Sequence, residues 1–168
     1  MDAKTIKALL KLVPLTFEGG YYAETYRSQN VIAPECLPGN YTGPRSLGTA
    51  IYYLLEPGTF SELHWVASDE IFHFYLGDAV EMLQLWPDGE TRQVVIGADL
   101  EQGMRPQVVV PRGVWQGARL GAGGKLALLG CTVSPGFEYA DYESGRREAL
   151  MQRYPGQAQM IRELTRES

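Results

Sequence analysis

The first dozen residues set Ile6, Leu9, Leu10 and Val13 on one helical stripe. Asp2 stands where an N-cap belongs and Pro14 where a helix must stop, so the spacing predicts a short helix over about 2–12. From Gly19 the texture changes to short runs of Tyr, Val, Thr and Leu, separated by Gly, Pro, Asn and Asp roughly every ten residues. Strands are predicted over 21–27, 47–55, 61–66, 70–76, 80–86, 91–96, 107–110, 115–120 and 125–133. Pro87-Asp88-Gly89-Glu90 is a hairpin turn by composition, since proline presets the first dihedral and glycine accepts a positive φ. The segment 30–45 has three prolines and little apolar periodicity, so it reads as a long surface loop. After Pro135-Gly136 helical spacing returns over 144–154 and 157–166, with Leu150, Met151, Met160, Ile161 and Leu164 as anchors and Pro155-Gly156 as the break.

Composition agrees with one mainly β domain over 1–168. It has a barrel core at about 19–134 and helical segments at about 2–12 and 144–166. The 168 residues are 45% hydrophobic, enough for one sizeable core, and the 19 glycines and 10 prolines serve as turn punctuation. A net charge of −5 without a basic run argues against nucleic acid or an anionic membrane surface as partner. No apolar stretch approaches the roughly 20 residues of a membrane span. The N-terminal run, interrupted by Lys7 and Lys11, lacks the apolar centre of a secretory signal, so a cytoplasmic protein is expected. Cys36 and Cys131 are expected as free thiols, and neither has zinc-site spacing.

The chemistry concentrates around the chain's two histidines, His64 and His73, which flank Ser68-Asp69-Glu70. Gly58, His64, Val66, Glu70 and Gly77 follow the spacing G-x5-H-x-H-x3,4-E-x6-G, with Val66 in the second histidine position. Pro111-Arg112-Gly113-Val114-Trp115-Gln116 follows P-x-G-x-x-H, with Gln116 in the histidine position, Arg105 for the opening glycine and Leu120 for the closing asparagine. Together these resemble the two motifs of the cupin superfamily. Three further segments, Glu18 to Ser28, Ser68 to Phe74 and Thr132 to Tyr139, are similar to signatures of its Cupin_5 group, a domain family of unknown function. The resemblance implies a double-stranded β-helix, or jelly roll, and a homodimer.

It also implies a site inside the barrel. In metal cupins the motif positions bind a divalent transition ion; carried over, they become His64, Val66, Glu70 and Gln116, which leaves His64, Glu70 and Gln116 as the set if a metal is present. Strand alternation sends His73 to the face opposite Glu70, so it is expected as structural support. The sugar-nucleotide epimerases of the superfamily keep a general-base histidine at the position of His64 without a metal. They carry a cationic residue where Glu70 stands and a histidine where Gln116 stands.

Three readings follow. In the first, a small polar ligand such as a sugar or nucleotide sugar occupies the barrel, no cofactor is needed, His64 is the general base and Glu70 its orienting or second acid/base group. Asp69 is read as a turn residue. Tyr21, Arg27, Phe72, Phe74, Gln116 and Tyr139 are the candidate ligand-binding side chains, with alternation placing Tyr21 and Arg27 on one face and Tyr22 and Tyr26 on the other. The second reading is a non-catalytic small-molecule binding module, motivated by Val66 and Gln116. The third is a metal-dependent isomerase or oxygenase, which needs a further donor beside His64 and Glu70.

Overall fold

The elements form where the local pattern asks for them, and what remains is how they stack. The computed structural model describes residues 1–38 and 41–166. Two positions of the predicted 30–45 loop, Gly39 and Asn40, therefore lie outside the described residues. In chain order the elements are α1 (Ala3–Leu10), β1 (Val13–Pro14), β2 (Tyr21–Arg27), β3 (Val31–Ile32), β4 (Arg45–Ser46), β5 (Thr49–Leu55), β6 (Phe60–Val66), β7 (Asp69–Gly77), β8 (Val80–Leu85), β9 (Thr91–Ile96), β10 (Gln107–Val110), β11 (Trp115–Leu120), β12 (Ala127–Ser134), β13 (Tyr142–Ser144), α2 (Arg147–Arg153) and α3 (Ala158–Glu163).

Two antiparallel sheets face each other. One runs β1-β2-β5-β12-β7-β10, the other β13-β6-β11-β8-β9, and a small β3-β4 ribbon stands apart. Neighbours distant in sequence, such as β12 beside both β5 and β7, define the jelly roll. Between the sheets Tyr53, Phe72, Met82, Val108 and Leu129 form the central core. On the outer face of the first sheet, Ile6 of α1 packs with Leu54, Leu126 and Leu128. On the outer face of the second, α2 and α3 bring Leu150, Ile161 and Leu164 against Leu63, Leu83 and Leu85. The central strands β5, β8 and β12 are thus largely buried on both faces, whereas the edge strand β10 alternates exposed and buried residues.

The predicted strands are found within two residues of their expected ends. The hairpin closes as expected, with Gly89 at φ 94° and the Trp86 N–H donating to Glu90 O at 2.8 Å. The N-terminal helix differs. Asp2 caps it by accepting from Thr5 N at 2.8 Å, but the helix stops at Leu10 because Lys11 turns left-handed at φ 55°. Val13 and Pro14 then pair with β2, so Val13 leaves the stripe, and Leu9 also faces outward, 65% exposed. The pairings of Val13–Pro14, of β3 with β4 and of β13 with β6 carry no local pattern; a strand of two or three residues exists only because a partner edge is present.

Candidate functional site at the open end of the barrel

Along each inward strand face the side chains form layers, and only one layer is filled. Tyr53, Phe72 and Leu129 occupy the closed half, whereas Thr49, Ile51, Val66, Glu70, Cys131 and Val133 line a cavity of about 260 Å³ at the other end. The neighbouring strand β2 supplies Tyr22, Glu24 and Arg27 to its rim, and the turn before β2 supplies Phe17 and Glu18. Phe137 and Tyr139 close the far side.

At the floor, His64 and Glu70 come together from facing sheets. His64 is 1% exposed. Its Nδ1 lies 2.6 Å from Glu62 O, and because a carbonyl only accepts, Nδ1 carries the proton and Nε2 keeps the lone pair. Tyr142 stacks on the ring, 4.8 Å between centroids at 23°. Gln116, opposite His64 on β11, donates one amide N–H to His64 Nε2 at 3.1 Å and another to Glu70 Oε2. Glu70 Oε1 accepts from the Cys131 thiol, and Oε2 stands 4.0 Å from His64 Nε2. Gln116 Oε1 is buried without a partner.

Burial dominates the electrostatics. It pushes the Glu70 carboxyl up to about 7, helped by the charge of Glu18 and opposed by His64 and the Cys131 hydrogen bond. The Cys131 thiol is pushed well up by the same burial and by the Glu70 carboxylate. Glu18 Oε1 accepts from Ser61 Oγ at 2.7 Å. Its placement depends on Gly19, whose φ of +112° and 2.1 Å approach of a Cβ to Phe60 O leave no room for a side chain. Arg27 is held by Glu24 at 2.8 and 3.1 Å, by Glu138 at 2.7 Å and by Phe137 O at 3.3 Å.

Of the residues singled out in the sequence, His64 and Glu70 line the floor, Gln116 bridges them, and Arg27 and Tyr139 line the rim. Tyr21 does not reach the cavity. It packs on the outer face with Lys7 Nζ 4.0 Å from its ring centroid. A bulge at Thr25 resets the alternation of β2, so that Tyr22, Glu24 and Arg27 pair with the inward Tyr53, Ile51 and Thr49. Tyr22 therefore replaces Tyr21 at the site, its hydroxyl 3.3 Å from that of Tyr139. Phe72 and Phe74 share the face of Glu70 but belong to the filled layer; Phe72 is 2% exposed. His73 points outward and meets Thr132 Oγ1 at 3.2 Å and Gln107 Nε2 at 3.3 Å. Asp69 accepts the Arg112 N–H at 2.9 Å, a structural turn contact. Sequence reasoning missed Phe17, Glu18, Glu24 and Cys131; the Glu-Gly-Gly run before β2 was the available signal for Glu18.

A jelly roll with one filled end, and a buried imidazole and carboxyl beside a cavity at the other, is the architecture of a cupin barrel. The chain belongs to the Cupin_5 family, described as Cupin superfamily (DUF985), which matches residues 4–145. It is similar to protein SO0799 from Shewanella oneidensis, 33% identical with a TM-score of 0.88 over 100% of this chain and 99% of that one. It also resembles the uncharacterized protein YML079W of Saccharomyces cerevisiae, 29% identical over 133 residues, 74% of this chain and 66% of that protein. This chain thus spans just under two thirds of the yeast relative. A Bacillus subtilis oxalate decarboxylase shares the fold alone, at 15% identity and a TM-score of 0.51 over 88% of this chain and 36% of that one. Among the described residues no helix is long and apolar enough to cross a membrane.

Proposed function

We propose that the cavity binds a small polar carbonyl compound and exchanges a proton with it, in the manner of an isomerase or epimerase. The observation that supports this is the pairing of His64 Nε2 and Glu70 Oε2 at 4.0 Å on the floor of a cavity, with the carboxyl poised at about 7. His64, fixed with its proton on Nδ1, would take a proton from the carbon next to the carbonyl. As that C–H bond breaks, its electron pair passes to the carbonyl oxygen, and that oxygen receives the proton of neutral Glu70. Delivery of the His64 proton to the other carbon of the enediol, with Glu70 taking back a proton from the hydroxyl on the first carbon, gives isomerisation; delivery of a solvent proton to the opposite face of the first carbon, with Glu70 again taking the oxygen's proton, gives epimerisation. Gln116 keeps the two groups in register and gives up its hydrogen bond to Nε2 when the ligand arrives.

A cavity of about 260 Å³ is below the ~300–1,000 Å³ typical of drug-sized ligands, so a single small molecule fits the reading better than a whole nucleotide sugar. The donors do not fit the divalent transition metal of metal cupins. Val66 cannot ligate, Gln116 turns an N–H toward both partners, and among the described residues no three His, Cys, Asp or Glu side chains gather as a metal-holding group.

One observation favours the binding-module reading instead: Nε2 of His64 and both oxygens of Glu70 already have protein partners. Solvent exchange separates the two. The protein is incubated in D2O with small hydroxy-aldehydes and hydroxy-ketones, and deuterium uptake beside the carbonyl is followed by NMR. Catalysed uptake that falls at least about a hundredfold in His64→Ala and in Glu70→Gln supports the proposal. Saturable binding without uptake refutes it and leaves the module.

A further inference from the structure

We propose that the ligand of this cavity carries a positive charge, and that the site selects a small alkylammonium compound over neutral or anionic molecules of the same shape. This rests on the cavity being the functional site and specifies the class of molecule it accepts.

The charge at the cavity is unbalanced toward acid. Among the described residues that line it, Glu18, Glu24 and Glu70 are acidic and Arg27 is the sole lysine or arginine. Arg27 is not available to an anion, because Glu24 takes its Nε and Nη2 while Glu138 takes Nη1. That rim cluster of two carboxylates and one guanidinium keeps a net negative charge. Glu18 adds another: it is hydrogen-bonded by Ser61 and has no ion-pair partner among the described residues, and its charge raises the protonation of both Glu70 and Cys131. A phosphate or carboxylate entering here meets Glu18 and Glu24, and Arg27 is already committed to carboxylates.

The walls of the same cavity are aromatic: Phe17, Tyr22, Phe137 and Tyr139 all line it. Phe17 and Tyr139 meet at 78° with centroids 5.1 Å apart, and Phe137 and Tyr139 at 77° and 5.5 Å. Aromatic side chains beside carboxylates suit an alkylammonium, which is attracted both to a π-surface and to negative charge. The Glu18-Gly19-Gly20-Tyr21-Tyr22-Ala23-Glu24 run and the Phe137-Glu138-Tyr139 run build this rim together, which gives both segments a common chemical purpose.

The test compares choline with 3,3-dimethylbutan-1-ol, its neutral isostere, and with acetate and inorganic phosphate, by calorimetry and ligand-observed NMR on the full chain. Choline is expected to bind at least about tenfold more tightly than the alcohol, to weaken with added salt, and to lose about fivefold or more in Glu18→Gln, while the anions do not bind. Glu24→Gln, at the exposed rim, serves as a second variant if Glu18→Gln fails to fold, and is expected to weaken choline as well. Equal binding of the alcohol, binding of an anion in place of choline, indifference to the carboxylate substitutions, or no binding by any probe each overturns the proposal. Choline binding in a protein that shows no proton exchange upholds the ligand class and refutes the isomerase reading alone.

Discussion

Replacing Glu70 by glutamine turns the buried carboxyl into a pH-insensitive group of the same shape, and the change in stability follows from its environment. In the unfolded chain the carboxyl titrates near 4.5, whereas burial holds it at about 7 in the folded protein. Below pH 4.5 both states keep the proton and nothing is lost. Between 4.5 and about 7 the unfolded chain ionises while the folded protein retains the proton, so stability falls as pH rises, and above about 7 the full cost is present. At about 1.4 kcal/mol for each factor of ten, the interval amounts to about 3 kcal/mol. Urea unfolding of wild type and Glu70→Gln, followed through the three tryptophans, should therefore show the variant gaining about 3 kcal/mol on wild type between pH 4.5 and 8. Glu62, also raised by burial, is common to both proteins and drops out of the difference. His64, Glu18 and Cys131 face Glu70 in both states of the comparison. Parallel stability profiles, or a wild type that gains on the variant as pH rises, would refute the argument that desolvation controls this carboxyl.

Other expectations are as direct. Asp141→Ala leaves the Arg45 guanidinium, now held at 2.6 Å with both side chains 4% exposed, buried and unpaired, and should cost about 3–5 kcal/mol by denaturant unfolding. Gly19→Ala forces a Cβ into Phe60 O and should cost more than about 2 kcal/mol, whereas Gly113→Ala, with positive φ but open space, should cost about 1–2 kcal/mol, both read from thermal melts. Gln116→Leu removes the N–H that favours ionised Glu70, so the inflection of the stability profile should move above 7. A thiol reagent should modify exposed Cys36 quickly and buried Cys131 only on unfolding, as timed absorbance traces would show.

The sequence by itself determined the strands, the hairpin at Gly89 and the two residues that carry the floor of the site. Alternation and turn chemistry are local, and His64 and Glu70 sit at a spacing whose meaning survives the loss of its neighbours at Val66 and Gln116. Tertiary structure decided the rest. A single bulge at Thr25 exchanged Tyr21 for Tyr22, because one extra residue inverts every later face of a strand. The inward face of β7 was legible as Glu70, Phe72 and Phe74, yet only packing between the two sheets fixed which layer is filled and which is open. Lys11 ended α1 before Pro14 could, since β2 offered Val13 and Pro14 an edge to join. Glu18, Cys131 and Phe17 lie far from His64 along the chain, and no local pattern brings them to it. Their shared cavity, and the charge and protonation it imposes on Glu70, exist only once the sheets close, because desolvation belongs to an enclosed space and not to any residue in it.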